Sequence, residues 1–222
     1  INAKEVILDG EVVCSGETGL PDFEKVMHRY MLSKQQEIQK QSLTSPAIYF
    51  AFDILYKDGQ WLTDLPLLER KEILNSSTTN SANLRSLDFY MDQGEVLLRF
   101  SKEHGFEGVI EKEADSKYIM NARVKHWRKL INYQIHECIV QGYDKKAFGL
   151  LLTDPVNKKP LGTLKLMPAK ARSIFFNVAK DIKINEDKNH VFLDPCIRCK
   201  VKSIGKTQNG YLRTPSFVEF II

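Results

Sequence analysis

Cysteine is scarce in this sequence, which excludes one class of fold at the outset. The 222 residues include four cysteines, too few for a scaffold held together by disulfides. One close pair exists, Cys196 and Cys199, but neither a second pair nor a histidine pair stands at zinc-ligand spacing from it. The pair also lies in a strand-like segment, where residues three apart point to opposite faces. We therefore expect reduced thiols in a cytoplasmic protein.

Long apolar runs are missing as well. No stretch of about 18 apolar residues occurs, which excludes a membrane-spanning helix. The first residues, 1–5, show neither an initiator Met nor the basic-then-apolar pattern of a signal peptide, so we expect a chain that begins within a longer protein. Hydrophobic residues make up 43% of the sequence and charged residues 27%. That composition can bury a core, and the length suits one large domain or two modest ones.

Charge is distributed unevenly along the chain, although the net charge is only +4. Residues 1–132 contain 17 basic and 20 acidic residues, and residues 133–222 contain 15 basic and 8 acidic ones. The second segment is therefore predicted to lie against a polyanion, and the first to hold a ligand that needs carboxylates. A merely solvated basic face is the alternative interpretation of the second segment.

The pattern of apolar residues predicts an α+β fold with a domain boundary near Asn132. Before that residue, strands and helices are mixed; the strand over 4–13 is interrupted at Asp9–Glu11. The other predicted elements here are strands over 47–56 and 109–112 and helices after Pro21, over 66–74 and over 93–104. After it, short strands surround one helix, about 169–181. The strands are predicted over 137–143, 148–154, 162–166, 191–193, 197–203 and 217–222. This is the size of a small β-barrel such as an OB-fold.

Carboxylates on apolar strands are the first indication of a functional site. Asp9 and Glu11 are two residues apart on one strand and share a face. Asp53 lies inside an apolar strand, and Glu107 precedes another. Burying such groups is unfavourable unless they are paired or bound to a metal, and Mg²⁺ prefers one or two carboxylates plus phosphate oxygens. Turn carboxylates and surface ion pairs are the alternative for each residue taken singly.

The order of several short motifs is more specific. LDGEVV, YFAFDILYKDG, PLLERKEIL, EGVIEK, W-x-K and LRTPSF follow one another from Val6 to the C-terminus. In this order the sequence resembles the ATP-dependent DNA ligases, and more narrowly the bacterial type associated with Ku-dependent end joining and its phage relatives. The resemblance implies a nucleotidyltransferase (adenylation) domain with mixed antiparallel sheets and helices over 1–132. It implies a DNA-binding β-barrel of the OB-fold type over 133–222.

The resemblance also implies roles for six residues. They are Glu11 for the ribose and the metal, Phe52 for stacking on adenine, Glu107 as the main metal-binding carboxylate, Lys112 and Lys129 for the nucleotide phosphates, and Arg213 for orienting the pyrophosphate. The implied cofactors are ATP, as the donor of AMP, and Mg²⁺. The implied partners are nicked or broken double-stranded DNA and a Ku-type end-binding protein, for a monomer in the bacterial cytoplasm at the nucleoid.

Two motifs depart from the family pattern. The family carries its nucleophilic lysine in a KxDG motif upstream of DGE, and only eight residues precede Asp9 here. The KDG at Lys57–Gly59 lacks the intervening residue and is predicted to be a turn. We therefore expect this chain not to form its own lysine–AMP. The second departure is Ile131, which stands where the family often has the last lysine of W-x-K-x-K.

Two other functions remain open from the sequence. An RNA ligase or an mRNA-capping type of nucleotidyltransferase shares the implied fold and motif order, although LRTPSF and the FGLLL segment favour a DNA ligase. A non-catalytic nucleic-acid-binding remnant is the alternative from another class. The presence of Glu11, Glu107, Lys112 and Lys129 argues against such a remnant.

Overall fold

The chain forms two compact units that divide between Leu130 and Ile131. A computed structural model describes residues 1–17 and 19–221. The division falls two residues before the predicted boundary after Asn132. Helices accompany mainly antiparallel sheets, which confirms the α+β class. Among the described residues, none of the helices has both the length and the apolar composition needed to cross a bilayer.

The first unit is built around one long strand. Its strands are β1 (Val6–Cys14), β2 (Ala47–Lys57), β3 (Gln60–Trp61), β4 (Leu84–Ser86), β5 (Gly108–Lys112) and β6 (Trp127–Ile131). Its helices are α1 (Phe23–Tyr30), α2 (Gln35–Thr44), α3 (Leu67–Ser77) and α4 (Gly94–Glu103). β2 pairs antiparallel with β1 and β3 and parallel with β4, whereas β5 and β6 form a separate two-stranded sheet. The predicted strands and helices of this unit are thus present, and α2, β3, β4 and β6 are additional.

β1 runs without a break through the DGE motif, so the predicted interruption at Asp9–Glu11 is wrong. Gly10 explains why a strand can continue there. A Cβ on Gly10 would lie 2.5 Å from the carbonyl oxygen of Phe50 and 2.5 Å from the ring of Tyr49. Both are far closer than van der Waals contact, so the two strands can approach here only because residue 10 has no side chain.

β2 deviates from a regular strand at two points. Its pairing with β1 shifts register between Ile7 and Leu8 and again between Asp9 and Gly10. Each shift leaves one residue of β2 without a partner, first Leu55 and then Phe52. Such bulges bend a strand and re-aim its side chains. Phe52 therefore occupies a bulge directly before the buried Asp53.

α1 and α3 begin where turn and capping residues predict. The side chain of Asp22 accepts a hydrogen bond from the backbone N–H of Lys25, which caps α1. α3 follows Pro66 and packs on β2, where Leu74 joins Ala51, Ile54 and Leu62 in a small apolar core. α1 buries none of its side chains fully, although its spacing predicts an apolar face.

The second unit is a seven-stranded sheet with one helix, α5 (Ala169–Ala179). Its strands are β7 (Gln134–Asp144), β8 (Leu150–Thr153), β9 (Pro160–Leu164), β10 (Lys183–Glu186), β11 (His190–Leu193), β12 (Arg198–Ser203) and β13 (Ser216–Ile221). β7 pairs with β8, β11 and β12; β9 extends the sheet beyond β8, and β13 extends it beyond β12. A parallel bridge joins Leu166 to Ser216. Ile222, which the prediction places in the last strand, lies outside the described residues.

The core of this unit lies between the sheet and α5. It contains Val140, Leu152, Leu164, Phe175 and Val201, each at most 2% exposed. β10 is missing from the prediction because all four of its residues are exposed and its sequence shows no apolar alternation.

The two cysteines of the CIRC segment lie in different surroundings. Cys199 is buried on β12 opposite Cys138 of β7, and burial raises the pKa of both thiols to about 12. Cys196 is exposed ahead of the strand. Burial of the thiols at residues 138 and 199 keeps them protonated and poorly reactive at neutral pH.

Candidate functional site

A fully buried ion pair anchors the centre of the first unit. Asp53 of β2 and Arg70 of α3 are both 0% exposed. Arg70 donates from Nε to Oδ1 at 2.8 Å and from a terminal nitrogen to Oδ2 at 2.9 Å, the bidentate geometry that suits a guanidinium. Its other terminal nitrogen donates to the carbonyls of Leu65 and Ser116. One side chain thus ties β2, the start of α3 and the loop after β5 together.

Lys112, at the end of β5, lies against two aromatic rings. Its Nζ is 4.4 Å from the ring centroid of Phe52 and 3.6 Å from that of Trp127, so the ammonium contacts the negative faces of both rings. Burial lowers the pKa of Lys112 to about 8, because a half-buried ammonium is poorly solvated. At neutral pH Lys112 is therefore mostly charged but readily deprotonated.

These side chains line a cleft of about 500 Å³. The cleft lies wholly in the first unit and is mainly apolar and aromatic, with the two lysines Lys71 and Lys112 among its lining residues. Its aromatic lining residues are Phe52, Phe89, Tyr90 and Trp127. Ring faces beside cationic groups suit a ligand that is planar at one end and anionic at the other.

Charged pairs connect β6 with the region of β5. Lys129 donates to Glu107 at 2.9 Å, and Arg128 donates to Glu111 at 2.7 Å. These side chains are between about one-third and three-quarters exposed, so the pairs contribute little stability. Lys129 and Glu107 remain accessible to a ligand with its own charges.

The carboxylates of the DGE motif have different surroundings. Asp9 accepts a hydrogen bond from the Tyr118 hydroxyl at 2.8 Å, and burial together with this bond raises the pKa of Tyr118 to about 12. Glu11, two residues further along β1, is exposed. Of the two carboxylates, Glu11 is therefore the more exposed.

Arg213 belongs to the second unit, in the segment before β13. Its backbone N–H donates to Gly205 and its carbonyl accepts from Ile204. Thr214, which follows, has a φ of +48°, a backbone conformation that non-glycine residues rarely adopt. The LRTP segment therefore has a defined conformation within its own unit.

The structure brings four of the six predicted site residues together in two pairs, whereas Glu11 is in neither pair and Arg213 belongs to the second unit. Phe52 and Lys112 share the cleft, and Glu107 and Lys129 form an ion pair. Among residues 1–17 and 19–221, no three His, Cys, Asp or Glu side chains are grouped so as to hold a metal ion. Mg²⁺ does not require such a cluster, because it retains waters and phosphate oxygens as ligands.

Sequence reasoning missed two residues of the cleft. Trp127 appears in the W-x-K motif, but nothing in the spacing shows that its ring contacts Lys112. Lys71 stands on α3 at a position that helical periodicity cannot distinguish from a surface lysine. Its burial becomes visible only once α3 is packed on β2.

The sequence model of the ATP-dependent DNA ligase domain matches residues 1–130. The chain belongs to this family. It is 37% identical over 211 residues to the SPbeta prophage-derived DNA ligase-like protein LigB of Bacillus subtilis, a match that covers 95% of the chain and 74% of that protein. It is 28% identical over 138 residues to the multifunctional non-homologous end joining DNA repair protein LigD of Mycobacterium tuberculosis, which covers 62% of the chain and 16% of that protein. The family resemblance stated from the motifs is confirmed.

A comparison of folds agrees with this assignment. The chain superposes on a structure of a Lig E DNA ligase with a TM-score of 0.66 at 16% sequence identity, over 96% of the chain and 76% of the other. At that identity the likeness concerns the fold alone. The matched segment is most of the ligase-like prophage protein but a small part of the mycobacterial one.

Proposed function

We propose that this chain binds a nucleotide in the first unit and joins 5′-phosphate and 3′-hydroxyl ends at a nick in double-stranded DNA. The observation that carries the proposal is the position of Lys112, whose ammonium lies against Phe52 and Trp127 in the cleft. A purine can stack on a ring face, and the neighbouring ammonium donates hydrogen bonds to a phosphate. ATP, as the donor of AMP, fits both features.

The proposed reaction is a series of in-line displacements at phosphorus. In the first, a lysine nitrogen of the KxDG type, which residues 1–222 do not contain, attacks the α-phosphate of ATP and pyrophosphate leaves. In the second, the 5′-phosphate oxygen of the DNA displaces that lysine. Finally the 3′-hydroxyl attacks the activated phosphate and AMP leaves, with the hydroxyl proton passing to solvent. Lys112 and Lys129 neutralise charge on the phosphates, and Arg213 orients the pyrophosphate. Glu11 and Glu107 have the donor chemistry to hold Mg²⁺, which would supply further charge neutralisation.

The second unit is proposed to be an OB-fold that contacts the DNA backbone. Its strands follow the order β9–β8–β7–β12–β13, and the parallel bridge from Leu166 to Ser216 connects the two ends of that order. Such a chain of five strands is the basis of a partly open OB barrel. Residues 133–222 carry 15 basic and 8 acidic side chains, which favours binding to phosphates without reading the bases. The proposed setting is a bacterial cytoplasmic monomer that acts on broken DNA with a Ku-type end-binding protein.

Joining of a nick that already carries AMP on its 5′-phosphate tests this function. The adenylated nick requires only the last displacement, so the result is independent of how lysine–AMP arises. We expect Mg²⁺-dependent sealing of adenylated DNA nicks, measured on a denaturing gel with a labelled strand. Absence of sealing, together with equal and salt-sensitive binding to nicked and intact duplex, would contradict the proposal and leave a binding module. Preferred sealing of an adenylated RNA nick would instead identify an RNA ligase.

The lowered pKa of Lys112 predicts that ATP binding depends on pH. The ammonium binds phosphate and the neutral amine does not, so affinity should fall as the pH rises through about 8. We expect a decrease of about threefold to tenfold between pH 7 and pH 9, measured by calorimetry. Lys112→Met should bind more weakly at pH 7 and show a shallower profile. An equally steep profile in that variant would assign the pH dependence to another group.

A further inference from the structure

The side chain of Lys71 is largely buried, yet its ammonium has no hydrogen-bond acceptor among the described residues. Lys71 is 5% exposed on α3 and lines the cleft. Among the residues that the structure describes, its Nζ makes no hydrogen bond or ion pair; its contact is the ring of Phe89, 5.3 Å from Nζ to the centroid. Burial lowers the pKa of Lys71, which is the sign of a charge held out of water without full compensation.

Two carboxylates influence Lys71, but neither accepts a hydrogen bond from it among the described contacts. Asp53 and Asp88 both act on Lys71 through their charge. Both oxygens of Asp53 already accept hydrogen bonds from Arg70, and Asp88 is exposed to solvent. The charge of Lys71 is therefore only partly offset by the protein itself.

Two further donors in the same cleft are also without acceptors. Lys112 contacts Phe52 and Trp127 through their rings, and the described residues provide no hydrogen-bond acceptor for it. The indole Nε1 of Trp127 is buried and makes no hydrogen bond within the described part of the chain. Lys71 and Lys112 both line the cleft and both lack an acceptor among the described residues, which suits a ligand group with several oxygens.

We propose that Lys71 is a second phosphate-contacting residue of the nucleotide bound in this cleft. The proposal rests on the proposed function, in which Phe52 stacks on the base and Lys112 contacts a phosphate. A phosphate has oxygens enough to accept from both lysines, and its negative charge offsets the two ammonium charges that the cleft holds together. Lys71 thus contributes to recognition of the anionic part of the nucleotide rather than of the base.

Fluorescence titration of the full chain can distinguish recognition of the base from recognition of the phosphates. The sequence has two tryptophans, Trp61 and Trp127, so Trp61→Phe leaves the indole in the cleft as the only tryptophan reporter. In that background Lys71→Met is compared with the wild-type residue and with Lys102→Met, which removes the same charge from the exposed face of α4. Adenosine, AMP and ATP are the three titrants.

We expect Lys71→Met to weaken AMP and ATP binding about tenfold while adenosine binding stays unchanged. Lys71→Arg should retain part of the affinity, and Lys102→Met all of it. The thermal midpoint of Lys71→Met without nucleotide should be equal to or above that of the wild type, because methionine fills similar space without a buried charge. A purely structural lysine would show the opposite pattern, a lower midpoint with unchanged affinity.

Each other result is equally decisive. Equal weakening of adenosine, AMP and ATP would place Lys71 at the base and overturn the proposal. Unchanged binding of all three in Lys71→Met would overturn it as well, while leaving the nucleotide site of the proposed function intact. Absence of any nucleotide response with Lys71 present would overturn that site and this inference together.

Discussion

Arg70→Met is expected to destabilise the first unit by about 3–5 kcal/mol. In the wild type, the Arg70 guanidinium donates to the Asp53 carboxylate and to the carbonyls of Leu65 and Ser116. The substitution removes all of these donors and leaves the carboxylate fully buried without a partner. A buried charge without a partner is much less favourable than a pair. Denaturant unfolding followed by circular dichroism measures the loss as a lower midpoint for the transition of the first unit.

Lys117→Met provides the matched control for that measurement. Lys117 also pairs with an aspartate, Asp64, but the two side chains are 64% and 90% exposed. Solvent screens such a pair, so its removal should change stability by less than about 1 kcal/mol. Arg70→Lys should fall between the two, because lysine keeps the charge but not the fork of donors. If Arg70→Met proved no more harmful than Lys117→Met, the buried pair would not be what stabilises the first unit.

Lys112→Met is expected to slow the sealing of an adenylated nick by about 10²–10³-fold. The ammonium is the cationic group held against Phe52 and Trp127, and its loss leaves negative charge on the reacting phosphate without that stabilisation. Methionine keeps contact with both rings, so the folded structure should persist. The single-turnover rate of ligation at saturating enzyme reports the effect directly.

Arg128→Met is the control for this prediction. Arg128 lies next to Trp127 on β6 and carries the same charge, but it is 71% exposed and pairs with Glu111. Its replacement should leave the ligation rate within about twofold, because an exposed charge is screened by solvent. Lys112→Arg should recover part of the rate, since a guanidinium also stacks on aromatic rings. Similar rates in Lys112→Met and Arg128→Met would contradict the proposed role.

The sequence was sufficient for elements whose patterns are local. The apolar runs at 47–56 and 137–143 predict β2 and β7, and Pro66 predicts the start of α3, because strand alternation and capping depend on nearby residues. α2 and β10 were not predicted because their residues are mostly polar and exposed. β4 was not predicted because it has three residues, too few to show an alternation of apolar and polar side chains, and it pairs with a strand distant in sequence.

The candidate site was predictable in its residue types but not in its contacts. The motif order identifies Phe52, Lys112 and Lys129, yet the contact of Lys112 with Trp127 depends on the pairing of β5 with β6. The burial of Lys71 depends on how α3 packs against β2. Neither the contact nor the burial can be predicted from spacing along the chain, since both depend on which elements pack together in three dimensions.

The two bulges of β2 together offset its pairing with β1 by two residues, one full period of side-chain alternation. Each adds one residue, so the pairs beyond Leu55 and the pairs before Phe52 keep the same inside–outside phase, and only the short window between them is shifted. That window contains Asp53, the residue on which Arg70 depends. Loss of one residue at either bulge would reverse the faces of the β2 side chains on one side of it relative to β1, whereas loss of both would leave the rest of the β1–β2 pair in phase. A single deletion at a bulge is therefore expected to disturb the packing of β2 more than a deletion at both bulges together.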